Sequence, residues 1–160
     1  MRGTGGSLAN ARAPELFCRT SCLFLEPSLF AMIDASSDGL PGDVLVVEDD
    51  PIIALDFEDT ILRFGVKSVR TAGNVARALQ LIEERAPDFA LLDIALLREK
   101  SFAVAERLEA LGIPYAFISG YGADAALPAA IAKKPRLPKP CTSDTMLAAL
   151  RSAAASRATK

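Results

Sequence analysis

Two short apolar runs, each closed by carboxylates, constrain this chain more than any other feature. Phe89-Ala-Leu-Leu-Asp93-Ile-Ala ends in one carboxylate, and Val44-Leu-Val-Val47 ends in Glu48-Asp49-Asp50. A run of about four to eight apolar residues, bounded by turn or charged residues, reads as a strand buried on both faces. In open α/β sheets the carboxyl edge of such strands is where ligands bind. If the two strands are parallel neighbours, the carboxylates of both converge on one small pocket. At ~4 Å and an effective dielectric near ~20, each like-charge pair costs roughly 4 kcal/mol. The pocket therefore requires a counter-charge. A divalent cation and a lysine are the candidates.

The rest of the chain repeats the alternation. Pro51 suits the first turn of a helix running to Phe64, with Ile53, Phe57, Ile61 and Phe64 on one buried face and Gly65 as the stop. Val66–Thr71 alternates as a strand. Asn74 is placed to cap a helix through Glu84, with Val75, Ala78, Leu79 and Ile82 inward and Pro87 closing it. Ser101 is the expected N-cap of a helix over Phe102–Leu111, ended by Gly112. Tyr115–Ser119 is a strand, and Gly120-Tyr121-Gly122 a loop. Residues 123–132 are alanine-rich and read as helical, although Pro128 breaks the interior. Arg136-Leu137 is long enough only for a very short strand. A last helix is expected over Ser143–Ala155, with Met146, Leu147 and Leu150 inward. Five strands alternating with five helices predict an α/β fold, a parallel sheet covered on both faces.

Composition excludes several function classes. The chain has 160 residues, 51% of them hydrophobic, which is enough for a real core. No apolar run reaches the ~18 residues that a membrane span needs, so no membrane association is expected. The chain has no histidine. That removes Ser/His/Asp catalysis, Cys/His proteolysis and His-ligated zinc, and it means the chain cannot carry a phosphohistidine of its own. Cys18, Cys22 and Cys141 come with no secretory signal, so reduced thiols and a cytoplasmic location are expected. The Cys18/Cys22 pair lacks the further ligands a structural metal needs. Residues 133–160 hold seven basic residues against Asp144, a balance of +6. With the whole chain at −2, the remainder carries −8. Residues 1–42 are expected to be a disordered extension, dispensable for folding, with Met32 as an alternative start. The domain is expected over 43–155, with 156–160 a tail.

The ordered set Val46-Val-Glu-Asp49, Leu92-Asp93, Ile118-Ser119-Gly and Leu137-Pro-Lys139-Pro140 resembles the receiver domain of two-component response regulators. The resemblance covers about residues 43–155. Gly112-Ile-Pro-Tyr followed by Phe117-Ile-Ser-Gly-Tyr-Gly122, with Arg98-Glu99-Lys-Ser101 after the aspartate, is similar to small stand-alone receivers with a Phe-Ala-Thr-Gly-Tyr-Gly type signature. The resemblance implies a flavodoxin-like (βα)5 doubly wound sheet of five parallel strands in the order 2-1-3-4-5. It implies that Asp93 accepts a phosphoryl group from a histidine kinase or phosphotransfer protein. It further implies Mg²⁺ held directly by Asp49, through water by Glu48, and by Asp93 and the backbone carbonyl of Ala95. Lys139 would be the counter-charge, aimed by a cis Lys139–Pro140 bond, and Ser119 would hydrogen-bond a phosphoryl oxygen. Such a protein signals by phosphorylation-dependent contacts with another protein. It does not bind nucleic acid directly and catalyses at most its own phosphorylation and dephosphorylation. From the charge balance, the expected output face is the Pro128-containing segment, the Arg136-Leu137 strand and the last helix.

The departures from the pattern are specific. Ser119 stands where threonine is commoner, and it keeps the hydroxyl. Arg136 stands three residues before Lys139, where many receivers carry a switching aromatic, and Tyr121 is the nearest substitute. Two other readings stay open on the residues. One is a Mg²⁺-dependent aspartyl-phosphate phosphatase or phosphotransferase of the haloacid-dehalogenase type, for which Glu48-Asp-Asp50 is half of an Asp-x-Asp motif. The other is a receiver-like scaffold that works without phosphorylation.

Overall fold

The computed structural model describes residues 39–120, 128 and 131–158. Five strands, β1 (Asp43–Val47), β2 (Ser68–Ala72), β3 (Phe89–Asp93), β4 (Tyr115–Ser119) and β5 (Arg136–Pro138), form one sheet. All pairings are parallel and the order is β2-β1-β3-β4-β5. Four helices accompany it among the described residues: α1 (Pro51–Arg63), α2 (Val75–Glu84), α3 (Phe102–Ala110) and α4 (Ser143–Ala158). This is the doubly wound α/β architecture that the alternation predicts. The helix expected over 123–132, the Gly120–Gly122 loop beyond Gly120, Tyr121, Cys18, Cys22 and Met32 fall wholly or largely outside the described residues.

Side-chain alternation along each strand divides the core in two. Leu45, Val47, Ala90, Leu92, Tyr115 and Phe117 face α2 and α3, meeting Ala78, Ile82, Val104 and Leu108. Val44, Val46, Phe89, Leu91, Ala116 and Ile118 face α1 and α4, meeting Phe57, Ile61, Met146 and Leu150. The continuous apolar runs follow from this two-sided burial. The α1 stripe is narrower than expected: Ile53 and Phe64 are only partly buried, and Ala54 takes a core position. α1 and α3 each end before a glycine at positive φ, Gly65 at 97° and Gly112 at 66°, where a side chain would be strained.

Several boundaries differ from the sequence reading. β2 starts at Ser68, not Val66. Leu40 packs against the core and Gly42 N–H donates to Asp88 Oδ2 at 2.9 Å, so the body begins ahead of Asp43. α4 runs three residues past Ala155. Ser101 occupies the N-cap position of α3 but makes no cap hydrogen bond. Its backbone (φ −73°, ψ 13°) is not the extended conformation that points an N-cap hydroxyl at the first-turn amides. The hydroxyl is instead buried without a partner among the described residues. Among the described residues no helix is long and apolar enough to cross a membrane.

Candidate functional site

The sheet order makes β1 and β3 neighbours, and the register pairs Val47 with Leu92. The residues just past that pair are Glu48 and Asp93, so both carboxylates leave the sheet at one edge. Both are buried, at 3% and 6% exposure. Lys139 arrives from the other side. Its N–H donates to the Ser119 carbonyl at 2.8 Å, which carries the β4–β5 pairing one step beyond Pro138. The Lys139–Pro140 bond is cis, as the resemblance implied. The Lys139 ammonium donates to Asp93 Oδ2 and to Glu48 Oε2, each at 2.7 Å. The other Asp93 oxygen, Oδ1, accepts the Ala95 N–H at 3.0 Å.

Glu48, Asp49 and Asp93 each present an oxygen, and these atoms all lie within 4.8 Å of one another. Three carboxylates thus face one ammonium. Their all-oxygen character fits a hard cation that keeps some of its own waters, which is the preference of Mg²⁺. Asp49 also lines a cleft of about 270 Å³ with Glu48, Pro51, Leu55, Thr71 and Gly73. Burial pushes the Glu48 carboxyl above its ordinary range, and the Lys139 ammonium only partly offsets this. Burial pulls Lys139 down, but its bonds to Asp93 and Glu48 outweigh that and hold it above the usual lysine value.

The remaining sequence candidates separate cleanly. Asp50 is not in the cluster. Its Oδ1 accepts from the Ile52 and Ile53 N–H groups and caps α1. The Glu48-x-Asp50 half-motif therefore does not converge on the pocket. Ser119 ends β4 beside Pro138, half-buried at the same edge. Ala95 is exposed, directly after Ile94, and forms an antiparallel bridge with Lys100. Arg136 is exposed and donates to the Ala132 carbonyl at 3.3 Å. Lys134 pairs with Glu109 and sits over the Tyr115 ring, so it is less a free surface charge than its sequence setting implied. The sequence reading placed Glu99 in the run after the aspartate but gave it no role; its carboxylate accepts the Val75 N–H at 2.9 Å across 24 residues. No local pattern announces a capping group supplied from so far along the chain.

Residues 44–151 match the family model of the response regulator receiver domain, and the chain belongs to that family. It is similar to SdrG from Sphingomonas melonis Fr1, at 38% identity over 71% of this chain and 95% of that one, with a TM-score of 0.62. Against the BeF3-activated conformation of SdrG, from Pseudomonas melonis Fr1, identity is again 38%, over 69% of this chain and 96% of that one, with a TM-score of 0.58. A response regulator receiver protein from Sinorhizobium medicae WSM419 is 26% identical over 72% of this chain and 95% of its own, with a TM-score of 0.59. A curated Pseudomonas aeruginosa protein with a transcriptional-regulator description is 38% identical over 68 residues, 42% of this chain. The match spans 33% of that protein's length.

Proposed function

We propose that this protein is a single-domain response regulator whose Asp93 is phosphorylated and which signals by contact with another protein. The observation that carries the reading is the Lys139 ammonium bridging Asp93 and Glu48 inside a cluster of three carboxylates. Asp93 is the acceptor. Its carboxylate needs no general base to act as a nucleophile. A histidine kinase or phosphotransfer protein supplies the group from a phosphohistidine. The N–P bond breaks, an Asp93 O–P bond forms, and imidazole leaves. These 160 residues contain no histidine that could carry that group. Glu48, Asp49, Asp93 and the Ala95 carbonyl would hold Mg²⁺, which when bound offsets charge on the transferring phosphoryl oxygens. Lys139 pairs with Asp93 in the unmodified protein and with a phosphoryl oxygen afterwards. Ser119 donates to another oxygen. The protein works in the cytoplasm and turns over no small substrate. It reaches its target through the β5–α4 face, where Lys133 and Arg151 are exposed, and not through nucleic acid.

SdrG supports the single-domain reading, because the match spans 95% of its chain, and its BeF3-activated form supports an acyl phosphate switch. Incubation with acetyl phosphate and Mg²⁺ tests it. One phosphoryl mass is expected, labile to alkali and hydroxylamine, lost on chelation and absent from Asp93→Asn. A stable modification on Ser119, or full phosphorylation of Asp93→Asn, would sink the mechanism.

A further inference from the structure

The segment after Asp93 is a small hairpin fixed at several points. The Ala95–Lys100 bridge closes its base. The Ala95 N–H holds Asp93 Oδ1, and Leu96 is buried in the core. The tip is different. Leu97, Arg98 and Lys100 are all exposed, with Leu97 at 83%. Glu99 lies among them, yet its Oε1 accepts the Val75 N–H at 2.9 Å. Val75 is the first residue of α2, so this N–H is one of the helix's orphan donors. Asn74, the N-cap, satisfies the Arg77 N–H. The first turn of α2 is therefore shared between its own cap and a carboxylate from the hairpin. An anion is favoured at that end of a helix.

We infer that Glu99 is a positioning residue that clamps the hairpin after the acceptor aspartate onto the N-terminus of α2. Through this clamp Ala95 stays in register on Asp93, and a change at Asp93 is passed to α2. The phosphoryl part of the inference rests on the reading given under Proposed function. Its geometry is direct. A group added at Asp93 must disturb the Ala95 N–H bond or the Lys139 bond, since these engage both carboxylate oxygens. A hairpin displaced by that disturbance pulls on Val75, because Glu99 joins the two. The link also reaches the acidic cleft, whose far wall is Thr71, Ala72 and Gly73, immediately before Asn74.

The bond can be removed from either side. Glu99→Ala deletes the acceptor. Val75→Pro deletes the donor at the first helical position, where proline is well accepted. Asn74 is already extended (φ −160°, ψ 166°), close to what a residue before proline adopts. Val75→Ala keeps the N–H and controls for lost packing, and Glu99→Gln keeps an acceptor oxygen. Initial rates with acetyl phosphate are measured at subsaturating Mg²⁺, beside the thermal midpoint of each variant. Glu99→Ala and Val75→Pro should each slow phosphorylation by about three- to tenfold, with the double variant no slower than the worse single. Glu99→Gln and Val75→Ala should stay near the wild-type rate. Multiplying effects in the double variant, or a wild-type rate in Glu99→Ala, would overturn the clamp. If the wild-type protein takes no phosphoryl group, the receiver mechanism fails on its own account. Amide exchange in the unphosphorylated protein then still decides the clamp. Glu99→Ala should speed exchange at both Val75 and Ala95, and unchanged exchange at Ala95 would overturn it.

Discussion

β1 carries a buried carboxylate at each end, and the two ends are handled in opposite ways. At its start, Asp43 accepts from Arg70 Nε at 3.1 Å and from Arg85 at 2.8 Å. Arg70 also donates to the carbonyls of Leu81 and Arg85, at 2.7 and 2.8 Å. Two cations surround one anion, and α2 is tied to the sheet. Just past its end, Glu48 shares a single ammonium with Asp93, while Asp49 crowds the same space. One anion among two guanidinium groups is a closed structural knot. Three anions around one ammonium, among the described residues, remain short of positive charge, which the proposed Mg²⁺ would supply. The difference is one of charge balance, since both ends are buried and both are hydrogen-bonded.

The comparison is broken most severely at Arg70. Its side chain is only 15% exposed, and Asp43 behind it 13%. Arg70→Ala should cost about 3 kcal/mol, because it leaves a buried carboxylate with one mostly exposed partner and takes a charged donor from the Leu81 and Arg85 carbonyls. Urea denaturation measures this. Phosphoryl uptake at temperatures below the lowered midpoint should be unchanged. A cost under ~1 kcal/mol would mean that the knot is ornamental.

Lys139→Ala probes the other end and should cost about 2 kcal/mol without metal, since three carboxylates then face one another. Mg²⁺ should restore much of that loss, where it cannot restore the loss in Arg70→Ala. The pH dependence has a definite sign. Lys139 is raised above 10.5, so the stability it contributes is fully present below that value and is lost as pH rises through its folded pKa. Lys139→Ala should lack this alkaline loss. Equal rescue of Arg70→Ala and Lys139→Ala by Mg²⁺ would erase the distinction between the two ends.

Much of this was legible in the sequence, for reasons that differ by element. β1, β3 and β4 read true because apolar runs buried on two faces have sharp ends, and those ends place Glu48, Asp49 and Asp93. α2 read true because Asn74 does cap it and Pro87 follows. Lys139 was found through the ordered motif set, since nothing near Leu137 fixes where its side chain goes. What was not legible is what depends on distant partners. Nothing in the sequence singles out Arg70, within a strand, or Arg85, after a helix, as partners of Asp43. Glu99 was visible only within the run after the aspartate, and Ser101 read as a cap. The arginines and Glu99 meet partners that only the folded sheet brings near, whereas Ser101 fails to cap because of its own backbone conformation.

Asp93→Asn should have a smaller effect on stability, and of opposite sign. It removes one charge from the crowded pocket while leaving an oxygen for Lys139 or the Ala95 N–H. The metal-free protein should gain up to ~1 kcal/mol, and added Mg²⁺ should stabilise it far less than it stabilises the wild type. A loss of stability would show that Asp93 belongs to a balanced network like that of Asp43.

The smallest effect is expected at Glu48, and it is the sharpest test of the charge argument. Burial raises the Glu48 carboxyl above 4.5, the value in the unfolded chain, and the Asp93 charge adds to this. The folded protein therefore holds this proton more tightly than the unfolded one. The contribution of Glu48 to stability is full below 4.5 and is lost as pH rises through its folded pKa. Ionised Glu48 at neutral pH is thus a net cost in the metal-free protein, even with Lys139 beside it. Glu48→Gln keeps an acceptor for that ammonium and removes the charge. It should be more stable than wild type at neutral pH without metal, by under ~1 kcal/mol, and the gap should close toward acid. Saturating Mg²⁺ should reverse the order, since only the wild type keeps all three carboxylates for the cation. Denaturation midpoints of both proteins across pH, with chelator and with Mg²⁺, give the four curves needed. A Glu48→Gln protein less stable than wild type in chelator at neutral pH would mean that Lys139 fully compensates the cluster, and the pocket would then be a second closed knot with no call for a metal.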